Sequence, residues 1–196
     1  MVQMTVSVDM RDLKQALAAL GAKAPRAIMR AVNRTARSAR TQAVRAVAKE
    51  VRLPQKDIRP MLPVISATVQ QYATAKLIAQ GRPLSLMRLG ARQTKLGVIY
   101  RGPGGPVLIR SAFIKQMPKS KRPTVWLRSP LPSERKSAGA WSKNLPIARQ
   151  VGPSVPKLVI EKGIFDAVRR TATETLRKNL THEVDYLLSR QGASRG

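Results

Sequence analysis

The side chains in this sequence with the types and spacing to do chemistry are cations. Arg26, Arg30, Arg34, Arg37, Arg40 and Arg45 follow one another at intervals of three to five residues, and Lys49 and Arg52 continue the series. Placed at about 100° per residue, they gather on roughly one half of a helix, opposite a face of small apolar side chains. A second group, Lys119, Lys121 and Arg122, lies in a loop among short apolar stretches. Charges of one sign set out in this way bind polyanions: phosphate contacts fix register on DNA without reading bases, and such affinity falls steeply with salt. Salt bridges to acidic neighbouring proteins would account for the same composition.

Other chemistries have little to work with. His182 is the single histidine, and no carboxylate and hydroxyl stand near it in a catalytic spacing. The 10 acidic residues are dispersed and cysteine is absent, so neither a metal ligand set nor a disulfide framework is visible. The run Gly102-Pro103-Gly104-Gly105-Pro106 lacks the Gly-Lys-Ser/Thr of a phosphate loop, and its prolines interrupt the helix such a loop requires. It reads as a turn. A hydrolase acting on DNA or cell wall would need an acid pair or a metal cluster. Asn33-Arg34-Thr35 and Asn179-Leu180-Thr181 match the glycosylation pattern, but both fall in expected helices of a chain with no export signal. The expectation is a structural or binding protein, not an enzyme, with no cofactor and no metal.

Composition points the same way. The 196 residues hold 37 Lys plus Arg against 10 Asp plus Glu, a formal charge of +27. A chain so charged repels its own copies, which is tolerable where a polyanion or acidic neighbours compensate it. No acid occurs from Ile58 to Ser133, so the middle of the protein is purely cationic: a solvated face, or a surface that meets polyanion or acidic subunits. Aromatics are only 4%, so Ala, Val, Leu and Ile must build the core. Asp9, Arg11 and Asp12 stand where a signal peptide would need apolar residues, and no run approaches the length of a membrane span. Synthesis in the cytoplasm and a soluble protein are expected.

The elements that must position these groups follow from periodicity. Val2, Met4, Val6 and Val8 alternate as in a short strand, and Met10, Leu13, Leu17 and Leu20 repeat as in a helix up to Gly21. A second helix is expected over 25–51, with Ile28, Val32, Ala36, Ala39, Ala43 and Ala46 inward. Its alanines let another backbone approach closely. Pro54 and Pro60 bracket a segment, Gln55 to Arg59, that is one helical turn or an irregular connection. Strands are expected at 64–70, 73–80, 84–89, 95–101, 106–115 and 123–128, forming an antiparallel sheet. Residues 129–143 read as a mobile loop whose Trp141 anchors into a neighbouring subunit or packs locally. After Pro156 a final helix runs to about 189, with Ile164, Val168, Ala172, Leu176, Leu180, Val184 and Leu187 on one face. The expected fold is a single α+β domain over 1–191, an antiparallel sheet packed by the basic N-terminal helix and the C-terminal helix, with a disordered tail at 192–196.

Three segments carry a resemblance: AVNRTARSARTQAV at 31–44, SAFIKQMPKSKRPTVWLR at 111–128 and LPIARQVGPSVPKLV at 145–159. In their order and spacing they resemble the bacteriophage minor tail protein Z, or tail completion, family. The resemblance spans about residues 5 to 188, and each motif is short, so its strength lies in the order. The longer loop at 129–143 and the GPGGP turn depart from the family pattern. The resemblance implies a virion component at the head-proximal end of the tail. It would be a homo-oligomeric ring, a hexamer by the tail's symmetry, beside tail terminator, tail tube and head connector proteins and helping to position the viral DNA end. The alternative is a free-standing basic nucleic-acid-binding protein. Its charge fits, but aromatic platforms are scarce and no recognised binding motif occurs.

Overall fold

The computed structural model describes residues 2–6, 24–68, 74–118, 122–128 and 147–192. The expected helix at 10–20, the loop at 129–143 with Trp141, Lys119 and Lys121, and the last four residues lie outside them. The fold is mixed α+β. Its elements in order are β1 (Val2–Val6), α1 (Ala24–Val51), α2 (Gln55–Ile58), a 3-10 turn at Arg59–Met61, β2 (Val64–Ile65), β3 (Ala75–Ala79), β4 (Arg92–Thr94), β5 (Gly97–Gly102), β6 (Gly105–Arg110), β7 (Ala112–Lys115), β8 (Thr124–Arg128), β9 (Ile147–Arg149), α3 (Val155–Glu161) and α4 (Ile164–Gly192). The strands are antiparallel, and they are shared among three three-stranded sheets. Two compact units emerge: one holds 1–47, 55–81 and 155–196, the other 48–54 and 82–154.

In the first unit β3 lies between β1 and β2, with Met4 opposite Leu77 and Val64 also paired to Leu77. Met4, Leu77, Ile58, Leu62, Leu158 and Leu180 are at most 2% exposed, an aliphatic core of the kind the low aromatic content requires. The helix expected after Pro156 is two helices. Gly163 sits at φ 57, a left-handed conformation that favours glycine, and its N–H bonds the Ile160 carbonyl to end α3 before α4 begins. On α4 the residues Ile164, Val168, Ala172, Leu176, Leu180 and Val184 are all buried. A four-residue step advances about 40° around a helix, so this line winds around α4 and needs more than one partner. The helix is accordingly met by α3, β1 and, through Asn179, α1.

The inward face of α1 is built from alanines as expected, with Ala27, Ala31, Ala36, Ala39 and Ala43 each 2% exposed or less. The face is not constant, however. Up to Ala39 the buried positions centre on Ile28, Val32 and Thr35; beyond it they pass to Val44, Val47, Ala48 and Val51, roughly two-fifths of a turn away. Ala46, expected inside, is therefore only half-buried. The change falls where α2 and the 3-10 turn border the helix: Val44 and Thr41 line one groove with Gln55, Lys56 and Pro60.

The polar residues of α1's middle make its most specific contacts. Asn33 Nδ2 donates to the Ala67 carbonyl at 3.1 Å, while its Oδ1 accepts from the Ala67 N–H at 2.7 Å. Thr35 is fully buried; its hydroxyl donates to the Ala31 carbonyl and accepts from Asn179 Nδ2, both at 2.9 Å. The two Asn-x-Thr triplets of the sequence thus meet each other across α1 and α4. Between Asn33 and Thr35, Arg34 is exposed.

The second unit holds the sheets β4–β5–β6 and β7–β8–β9. The strand expected at 84–89 is instead a turn: the N–H groups of Arg88 and Leu89 both bond the Ser85 carbonyl, and Gly90 closes it at φ 72. Leu84, Leu86 and Leu89 are buried there, so apolar residues that looked like strand spacing serve a local coil. The strand expected at 106–115 breaks at Ser111, whose φ of 58 no strand residue adopts, and β6 and β7 belong to different sheets. The GPGGP run is the turn it was expected to be, joining β5 to β6 through Pro103 and Gly104. Gly97 pairs with Arg110 at φ 148, and a side chain there would strike the Ile109 carbonyl.

Candidate polyanion and partner interface

On α1 the buried Thr35 faces Asn179 on the inward side, and Arg26, Arg30, Arg34, Arg37 and Arg45 stand away from it, all exposed, with the half-buried Asn33 flanking their row. Their angular positions span about 100°, and from Arg26 to Arg45 the row extends about 28 Å along the axis. Among the described residues, none of these five guanidinium groups has a hydrogen bond or an ion pair. Exposed ion pairs occur along α3 and α4, Lys157 with Glu161 at 3.6 Å and Arg169 with Asp166 at 3.8 Å. A row of exposed permanent charges has the chemistry to attract a polyanion or acidic side chains.

Arg40 belongs to the same sequence series but is placed differently. It is half-buried, its guanidinium donates to the Arg59 carbonyl at 2.8 Å, and its Nε is buried without a hydrogen-bond partner. It lines a groove of about 500 Å³ with Thr41, Val44, Gln55, Lys56, Arg59 and Pro60. Its contact with Arg59 joins α1 to the 3-10 turn, so this arginine fixes a neighbouring segment as well as adding charge.

In the second unit Arg122 borders a groove of about 520 Å³ together with Ser85, Met87, Arg88, Pro123, Thr124 and Arg149. The turn at 85–90 presents Arg88, and the antiparallel pairing of β8 with β9 presents Arg149 opposite Trp126. Three guanidinium groups 34 and 27 residues apart in sequence are thereby gathered. Arg149 was not singled out by sequence, because a lone arginine in LPIARQ carries no period; only the pairing of β9 onto β8 brings it there. Lys119 and Lys121, the other sequence candidates of this region, lie outside the described residues, as does Trp141.

Among the described residues no three His, Cys, Asp or Glu side chains approach one another as a metal site requires, and no helix is long and apolar enough to cross a membrane. What the fold and its surfaces define is a basic α+β protein, with arginines displayed on a helix that Asn33 and Thr35 tie to its neighbours. The chain belongs to the prophage minor tail protein Z (GPZ) family, whose model matches residues 10–191. No curated protein and no solved structure matches it. It is therefore a phage minor tail protein, a structural component of the virion tail that works among other tail and virion proteins.

Proposed function

We propose that this minor tail protein completes the tail at its head-proximal end, where copies form a ring and the basic face of α1 holds the viral DNA end in place. The tail terminator, the tail tube and the head connector are its neighbours in this reading. The observation that carries it is the exposed row Arg26, Arg30, Arg34, Arg37 and Arg45, without ion pairs among the described residues. A DNA end of any sequence must be held, and phosphate contacts do that without base readout. The net charge of +27 supports the same role, since a ring of such subunits needs a polyanion or acidic neighbours to be stable.

Cryo-electron microscopy of intact virions tests this directly. Density for a ring of this chain at the head-to-tail junction, with α1 toward DNA, is the expected result. A chain found elsewhere in the tail would reject the position, and a chain absent from the particle would turn the reading toward a free-standing nucleic-acid-binding protein.

A further inference from the structure

The β4–β5–β6 sheet carries a second exposed surface of another kind. Its register places Arg92 opposite Ile99, Ile99 opposite Leu108, Arg101 opposite Pro106 and Gly97 opposite Arg110. Paired residues share a face and alternate residues return to it, so Arg92, Ile99, Arg101, Leu108 and Arg110 project from the same side. Ile99 and Leu108 are 38% and 37% exposed, and the three arginines are exposed around them. The face is an aliphatic centre inside an arginine rim, in a stretch of sequence with no acid to neutralise it.

We propose that this face docks an acidic protein surface with aliphatic side chains at its own centre. The inference rests on the tail-protein reading for where the partner is met, and on the sheet alone for the partner's chemistry. A protein interface has an apolar core and a polar rim in which arginine is enriched, which is the arrangement found here. A phosphate backbone offers Ile99 and Leu108 nothing apolar to cover them. A second copy would set arginine against arginine, since self-association through one patch puts the same acid-free, cationic surface on both sides.

The test uses the full-length chain with the double substitution Ile99→Ser and Leu108→Ser, which removes the aliphatic centre and leaves every charge. Retention of a duplex DNA probe by the purified variant is expected to stay within about twofold of the unaltered chain. Its incorporation into tails in phage-producing cells is expected to fall about tenfold or more, the loss of an interface centre. A photo-reactive residue at Leu108 is expected to crosslink, in those cells, to an acid-rich segment of another protein. Normal incorporation of the serine pair overturns the proposal, as does a crosslink to DNA, to a second copy or to nothing. Crosslinking to an acidic protein by a chain that never enters tails would remove the tail reading and leave this inference standing. Circular dichroism melts of the serine pair are expected to show a folded protein with a somewhat lowered midpoint, since more than half of each aliphatic side chain is covered; a collapsed melt transfers the decision to the Leu108 crosslink.

Discussion

Two cationic surfaces of this molecule carry their charge in different company. On α1, five exposed arginines stand in a row with Thr41 among them and no exposed aliphatic side chain between. On the β4–β5–β6 face, three arginines surround Ile99 and Leu108. Net charge, which dominates the composition, treats the two alike. The residues between the charges separate them: a polyanion needs only cations in register, whereas a protein partner gains by covering apolar area as well.

The largest effect should come from reversing charge on the helix. Replacing Arg30, Arg34 and Arg37 by Glu is expected to leave the melting curve near that of the unaltered chain and to weaken duplex DNA retention by about a hundredfold or more at moderate salt. Equal weakening by Glu at Arg92, Arg101 and Arg110 would erase the proposed division between the two surfaces. In the milder form, Ala at Arg30, Arg34 and Arg37, the slope of log affinity against log salt should fall by about one per contact removed.

Next in size is the bracing of α1. Replacing Asn179 by Ala leaves the buried Thr35 hydroxyl without its donor and should cost about 1–3 kcal/mol in denaturant unfolding. Asn33→Ala should cost a similar amount, since it strands both polar groups of Ala67. If DNA retention survives these losses at temperatures where the protein is folded, the arginines act as a charged row that tolerates loosening. If it fails first, their alignment matters.

In the second unit Gly97→Ala should destabilise by more than about 1 kcal/mol, because the new side chain meets the Ile109 carbonyl in a left-handed backbone conformation. It should impair docking through the sheet and spare DNA retention by α1. The smallest effect separates neighbours on one helix: Arg37→Ala should lower DNA affinity with stability unchanged, and Arg40→Ala should lower stability by about 1 kcal/mol, through loss of the Arg59 carbonyl contact. Identical behaviour of the two would remove the distinction drawn between them.

Much of this was legible in the chain. The α1 and α4 periods, the basic face of α1, the turn at Gly102–Gly105 and the family resemblance all depend on residues close in sequence. Reading failed where a local pattern had two meanings. Leu84, Leu86 and Leu89 suggest a strand by spacing, yet the Ser85 carbonyl captures the N–H groups of Arg88 and Leu89 in a turn. Ser111 offers no glycine or proline to announce the break between β6 and β7, because its left-handed φ is imposed by strands paired in different sheets.

By itself the sequence determined the charge of +27, the acid-free middle, the small-residue face of α1 and the cationic row opposite it, since composition and helical period are properties of neighbours along the chain. Only the tertiary structure decided that Arg40 turns inward to Arg59 while Arg37 stays out, that Asn179 finds Thr35 across 144 residues, and that Ile99 and Leu108 share an arginine-rimmed face. Those outcomes depend on which elements pack together and in what register, and a hydrogen bond or a cross-strand pair has no period by which a sequence could announce it.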